Sequence, residues 1–182
     1  MKRVFAVAVV PLFTFLFLLF GGSGTLRAQN ANPVSTHLKG QWTNIRDLLT
    51  KEADRMPEEN YRFKPAPEME DFGQRMAHVI TFSMRGCAAV KGEQKQLKFG
   101  TPPSKAEVTA AMKEVNDECD GVFNSLSDAD LGKMVNVGQR QRPVIALLEG
   151  LVLEHSQEVY GYTAVYLRLK GIVPPSSVQN ER

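Results

Sequence analysis

The chain has 182 residues, with 22 Lys and Arg against 20 Asp and Glu, for a formal net charge of +2. That near-balance gives no electrostatic case for nucleic acid as a partner, and the length suits one domain of ordinary size plus extras.

Met1, Lys2 and Arg3 make a short basic start, and Val4 to Phe20 is apolar apart from Pro11 and Thr14. Gly21-Gly22-Ser23-Gly24 follows, then Leu26-Arg27-Ala28-Gln29. This is the pattern of a secretory signal peptide over residues 1–28, with small residues where a peptidase cuts, so cleavage after Ala28 is expected. The apolar run is about long enough to span a bilayer, which makes an uncleaved N-terminal membrane anchor the competing reading. The expected localisation is secreted or periplasmic, with no membrane contact after cleavage. Residues 1–28 hold Lys2, Arg3 and Arg27 and no acid, so 22 basic groups become 19 against 20 acidic ones, a net charge near −1.

Residues 29–182 read as one domain. After a polar lead-in, Ser35 or Thr36 can cap a helix running to about Met56. Leu38, Trp42, Ile45, Leu48 and Leu49 give its apolar face, with Lys39, Arg46, Asp47, Lys51 and Glu52 off that face. Trp42 reads as a core anchor and His37 as a solvated histidine. The proline-bearing stretch from Met56 to Glu70 breaks the helix and makes a long connector. Asp71 starts a second helix to about Gly92, with Phe72, Met76, Val79, Ile80, Phe82, Ser83, Cys87 and Val90 inward and His78 beside them. Ser104 and Glu107 form a capping box that opens a third helix to about Ser125. Its inward residues are Val108, Ala111, Met112, Val115, Cys119, Val122 and Phe123. Ser127 to Leu131 reads as a short capped turn. Met134 to Arg142 reads as an irregular link with a brief extended piece at Val135 to Val137, and no paired-strand signal.

The fourth helix starts near Arg142-Pro143, where proline is tolerated in the first turn. It runs to about Lys170 and exits at Gly171 and Pro174-Pro175. Leu148, Leu151, Val152, His155, Val159, Tyr162, Thr163 and Tyr166 recur at steps of three and four, which predicts that they face inward. The fold class is therefore all-α, a four-helix bundle with long connectors.

Cys87 and Cys119 lie on the second and third helices. An exported chain permits a disulfide between them, worth about 3 kcal/mol by loop closure. Two buried free thiols are the equal alternative. No GxSxG elbow, Walker loop, CxxC, HExxH or dinucleotide fingerprint is present. A nucleophilic Cys87 is disfavoured by an oxidising compartment. His78 and His155 lie at or near core positions of different helices. A catalytic metal site usually needs three protein ligands, and two on one helix share a face at i and i+4. Val159, four after His155, cannot ligate, and Glu158 is the candidate third ligand. On residue types alone, both histidines read as satisfied, semi-buried core residues.

The run His155-Ser156-Gln157-Glu158-Val159-Tyr160-Gly161, then Tyr166-Leu167-Arg168 and Gly171 to Ser176, resembles the last helix of the DinB/YfiT family. Met56 to Tyr61, Phe63-Lys64-Pro65, Phe72-Gly73-Gln74 and Ala77-His78 are similar to that family's connector and second helix. The resemblance implies a four-helix bundle, often a homodimer, with a divalent metal such as Zn or Ni held by three histidines. His78 and His155 fall on two of those places, and Val159 falls on the third. The wider family includes thiol-dependent transferases and isomerases. The expectation is an exported bundle with a degenerate His-based site, non-catalytic or binding a small ligand or partner. The alternative is a metal-dependent hydrolase or thiol-type transferase that uses His78, His155 and a substitute oxygen. Tyr160 and Tyr166 read as core or interface residues, and Arg168 as the partner of an acid on the first helix or the connector.

Overall fold

A computed structural model describes residues 31–181. The expected signal peptide, residues 1–28, lies outside them. No helix among the described residues is long and apolar enough to cross a membrane.

Four helical rods pack side by side. The first three are α1 (Pro33–Arg55), α2 (Phe72–Val90) and α3 (Lys105–Ser125). The fourth rod joins α4 (Val144–Leu147), a π-helical segment (Leu148–Glu154) and α5 (His155–Leu169). Its backbone stays in the right-handed helical region through both junctions. The expected four-helix bundle is what forms.

Each rod contributes one apolar stripe to a common core. Leu38, Trp42, Ile45 and Leu49 of α1 meet Met76, Ile80 and Met84 of α2, Val115 and Phe123 of α3, and Leu148, Val152 and Val159 of the fourth rod. Trp42 anchors the core as expected: it stacks on Phe123 at 5.5 Å between centroids, and its indole N–H donates to Asp120 at 2.7 Å. Cys87 and Cys119 are joined in a disulfide that ties α2 to α3, and both residues are fully buried. This decides between the bridge and the free thiols.

The starts of α2 and α3 follow the sequence closely. Asp71 with Gln74, and Ser104 with Glu107, form reciprocal capping boxes, each satisfying two backbone donors at a helix start. The start of α1 does not follow it. Neither Ser35 nor Thr36 is the cap. The backbone N–H groups of Val34 and Ser35 instead donate to the carboxylate of Asp128, on the turn after α3.

The link after α3 is also more regular than expected. Strands β1 (Met134–Val137) and β2 (Arg140–Pro143) form an antiparallel hairpin. Its turn uses Gly138 with φ +61, a conformation glycine adopts without steric cost. β2 carries three polar residues in its four, Arg140-Gln141-Arg142, and so shows no apolar alternation. Arg168 hydrogen-bonds Ser177 at 2.8 Å rather than an acid of the first helix or connector.

Gly86 of α2 fixes how closely the second and fourth rods approach. A Cβ there would sit 2.5 Å from Cγ2 of Val152, in the π segment. Gly86→Ala is therefore expected to destabilise the protein by about 1–3 kcal/mol through overpacking. A urea titration tests this, and an unchanged midpoint would show that the rods separate freely.

Candidate functional site

The site lies where the outer flank of α2 meets the junction between the π segment and α5. His78 and Phe82 are four residues apart on α2 and so share a face. Their ring centroids are 4.6 Å apart. His155, the first residue of α5, completes a three-ring cluster, 4.9 Å from His78 and 5.1 Å from Phe82. The structure thus brings together the two histidines singled out in the sequence.

His155 is 22% exposed, at the edge of the core rather than within it. The buried stripe passes instead through Ser156. Tyr162, expected to face inward, is 45% exposed for the same reason. Val159 does face the core and is fully buried.

Glu158 lies on the exposed side of the rod. One carboxylate oxygen is 3.3 Å from Nδ1 of His155, and the other accepts from the Tyr162 hydroxyl at 2.8 Å. Those two hydrogen bonds hold its carboxyl below the usual range, Tyr162 contributing more than His155. A carboxylate accepts, so Nδ1 of His155 carries the proton in this contact. The Nε2 of that ring is buried and has no hydrogen-bond partner. His78 is held below its ordinary pKa, first by burial and then by the neighbouring His155. At neutral pH it is an uncharged ring.

Arg75 lies over the Tyr162 ring at 5.6 Å and pairs with Glu70 at 3.2 Å. Glu154, Leu151 and Gly150 continue the wall, and with Phe82, His155 and Glu158 they enclose an open groove of about 370 Å³. Among the described residues, no group of three or more His, Cys, Asp or Glu could hold a metal ion.

Two residues escaped the sequence reading. Phe82 reads as an ordinary core residue but forms the aromatic wall of the site. Glu52 reads as lying off the apolar face of α1, yet it is fully buried and hydrogen-bonded by the Thr163 hydroxyl. A signal existed for Glu52: positions 38, 42, 45, 49, 52 and 56 make one helical stripe.

The fold and site define a class: a helical bundle with paired histidines on its second and fourth rods. A family model described as the DinB superfamily matches residues 41–158, and the chain belongs to that superfamily. No curated protein matches it significantly. A DinB-like protein from Bacillus cereus superposes with a TM-score of 0.63 at 19% identity, over 77% of this chain and 95% of that one. A second, YjoA from Bacillus subtilis, gives 0.60 at 17%, over 74% and 92%. A mutant of a mycothiol-dependent maleylpyruvate isomerase gives 0.54 at 11%, over 71% of this chain and 59% of that one. At these identities the likeness speaks for the fold alone.

Proposed function

We propose that this chain is an exported DinB-like bundle whose histidine site no longer builds a metal centre and instead binds a small molecule. The observation that carries the reading is the pairing of Val159 with Glu158. Val159 stands where the resemblance places the third histidine, and it is fully buried among apolar side chains. Glu158, the candidate substitute, is committed through both oxygens to Nδ1 of His155 and to Tyr162. The donor set is one ligand short of the usual three.

What remains suits binding. The groove is lined by the Phe82 ring, Leu151, His155 and the carboxylates of Glu154 and Glu158. A flat apolar molecule bearing a hydrogen-bond donor matches those features. The unpartnered Nε2 of His155 is the one feature that favours the alternative, metal-dependent reading, because a neutral imidazole nitrogen is an ordinary metal ligand.

Elemental analysis of the mature protein separates the two. Substoichiometric metal, with no melting shift in Zn²⁺ or Ni²⁺, is expected. Near-stoichiometric metal that His155→Ala abolishes would overturn the proposal in favour of the metal-dependent reading.

A further inference from the structure

On the far side of Gly150 and Leu151 lies a second cleft, of about 540 Å³. It is bounded by α2, the β1–β2 hairpin and the start of the fourth rod. Arg85, Arg140 and Arg142 line it, and none of its lining residues is acidic.

The hairpin register explains why the arginines converge. Arg140 stands opposite Val137, and Arg142 opposite Val135. Directly opposed residues of an antiparallel pair project from the same face, as do residues two apart on one strand. Val135 packs against the core, so this is the hairpin's inner face. Both arginines of β2 therefore lie on the side that carries the hairpin's apolar contacts. From α2, Arg85 reaches the hairpin tip, its Nη2 lying 3.6 Å from where a Cβ on Gly138 would stand.

No hydrogen bond or ion pair to any of these three guanidinium groups occurs among the described residues. Arg46, by contrast, pairs with Asp47 and Asp120, and Arg75 with Glu70. The three exposed arginines border one concavity, where their positive potentials add and favour an anion. The rest of the wall is apolar or small, with Val137, Ala146, Leu147 and Leu151. Gly150 and Leu151 belong to the π segment, a departure from regular helix that is frequent at functional sites.

We propose that this cleft binds a small organic anion with an apolar body, its charged head held by Arg85, Arg140 and Arg142. The proposal is independent of how the histidine groove is used. The competing explanation is that inward charges on a short hairpin only guard its edges against pairing with other strands, and that predicts no binding.

The test uses the mature chain and the aromatic sulfonate 2-naphthalenesulfonate, which carries no hydrogen-bond donor for the histidine groove, as a fluorescent probe. One saturable site is expected, weakening as salt rises. Arg140→Gln/Arg142→Gln and, separately, Arg85→Gln should each raise Kd about tenfold or more. Arg140→Lys/Arg142→Lys should recover part of the loss, and His155→Ala should leave Kd unchanged. Octanoate should displace the probe, whereas inorganic phosphate should not. Equal affinity in wild type and both arginine variants overturns the proposal. So does loss of binding in His155→Ala, which would put the probe in the histidine groove. Displacement by phosphate as effective as by octanoate overturns the apolar half of the ligand assignment.

Discussion

Replacing Cys87 and Cys119 together by alanine is expected to lower the unfolding free energy by about 3–4 kcal/mol. The bridge closes a loop of sequence separation 32 between α2 and α3. In the chain-entropy description it acts by restricting the unfolded chain, and the cost grows with the logarithm of loop length. Two further effects raise it. Both cysteines are fully buried, so each substitution leaves a small void in the core. The bridge also lies close to the Ser83 carbonyl, which Cys119 Sγ approaches at 3.6 Å, so its loss loosens a contact between the same two helices. Urea titrations of the oxidised wild type and the double variant measure the difference. Equal midpoints would mean that the α2–α3 contact holds without the bridge.

A second large effect is expected from pH, through Glu52. Burial pushes its carboxyl up to about 8, and the hydrogen bond from Thr163 only partly opposes that. One carboxylate oxygen is buried without a partner. The sign follows from proton counting. Between the unfolded value near 4.5 and the folded value near 8, the folded state keeps a proton that the unfolded state releases. Stability contributed by this group is therefore fully present below about pH 4.5 and is lost as pH rises through about 8. The loss is on the order of 3–5 kcal/mol across that window. Glu52→Gln, which cannot ionise, should flatten the profile and be more stable than wild type at pH 9. Urea midpoints at pH 5, 7 and 9 for both proteins test this. A wild-type profile as flat as that of Glu52→Gln would show that the carboxylate finds solvent or a cation.

Much of the fold was legible because local signals agreed with one another. The capping boxes at Asp71 and Ser104, the proline-broken connector and the Gly171 exit each mark a boundary by its own chemistry. Where reading failed, a non-local or irregular feature was responsible. The hairpin was hidden because β2 is Arg140-Gln141-Arg142-Pro143, whose inner positions are charged. Glu52 was misplaced because its charge outweighed its register with Leu49 and Met56.

His78 and His155 were singled out in the sequence and lie side by side, but Phe82 beside them and the orientation of His155 were not legible. In the fourth rod the buried residues Val144, Leu148, Val152 and Ser156 are spaced by fours. On a regular α-helix that spacing drifts by about 40° per step. The wider turns of the π segment offset the drift and keep the stripe on the core. A reading at 3.6 residues per turn therefore placed His155 within the stripe, when it lies on the flank beside Ser156. That displacement lets His155 face both His78 and the open groove.

The way α1 begins bears on the order of assembly. Its first N–H groups are satisfied by Asp128, at sequence separations of 94 and 93. During synthesis, that end of the first helix emerges long before its acceptor does and stays frayed in the interval. The first turn is finished only when α3 has formed and the turn after it swings back. Closing that long loop is entropically slow, so the first helix among the described residues is expected to be among the last to be completed.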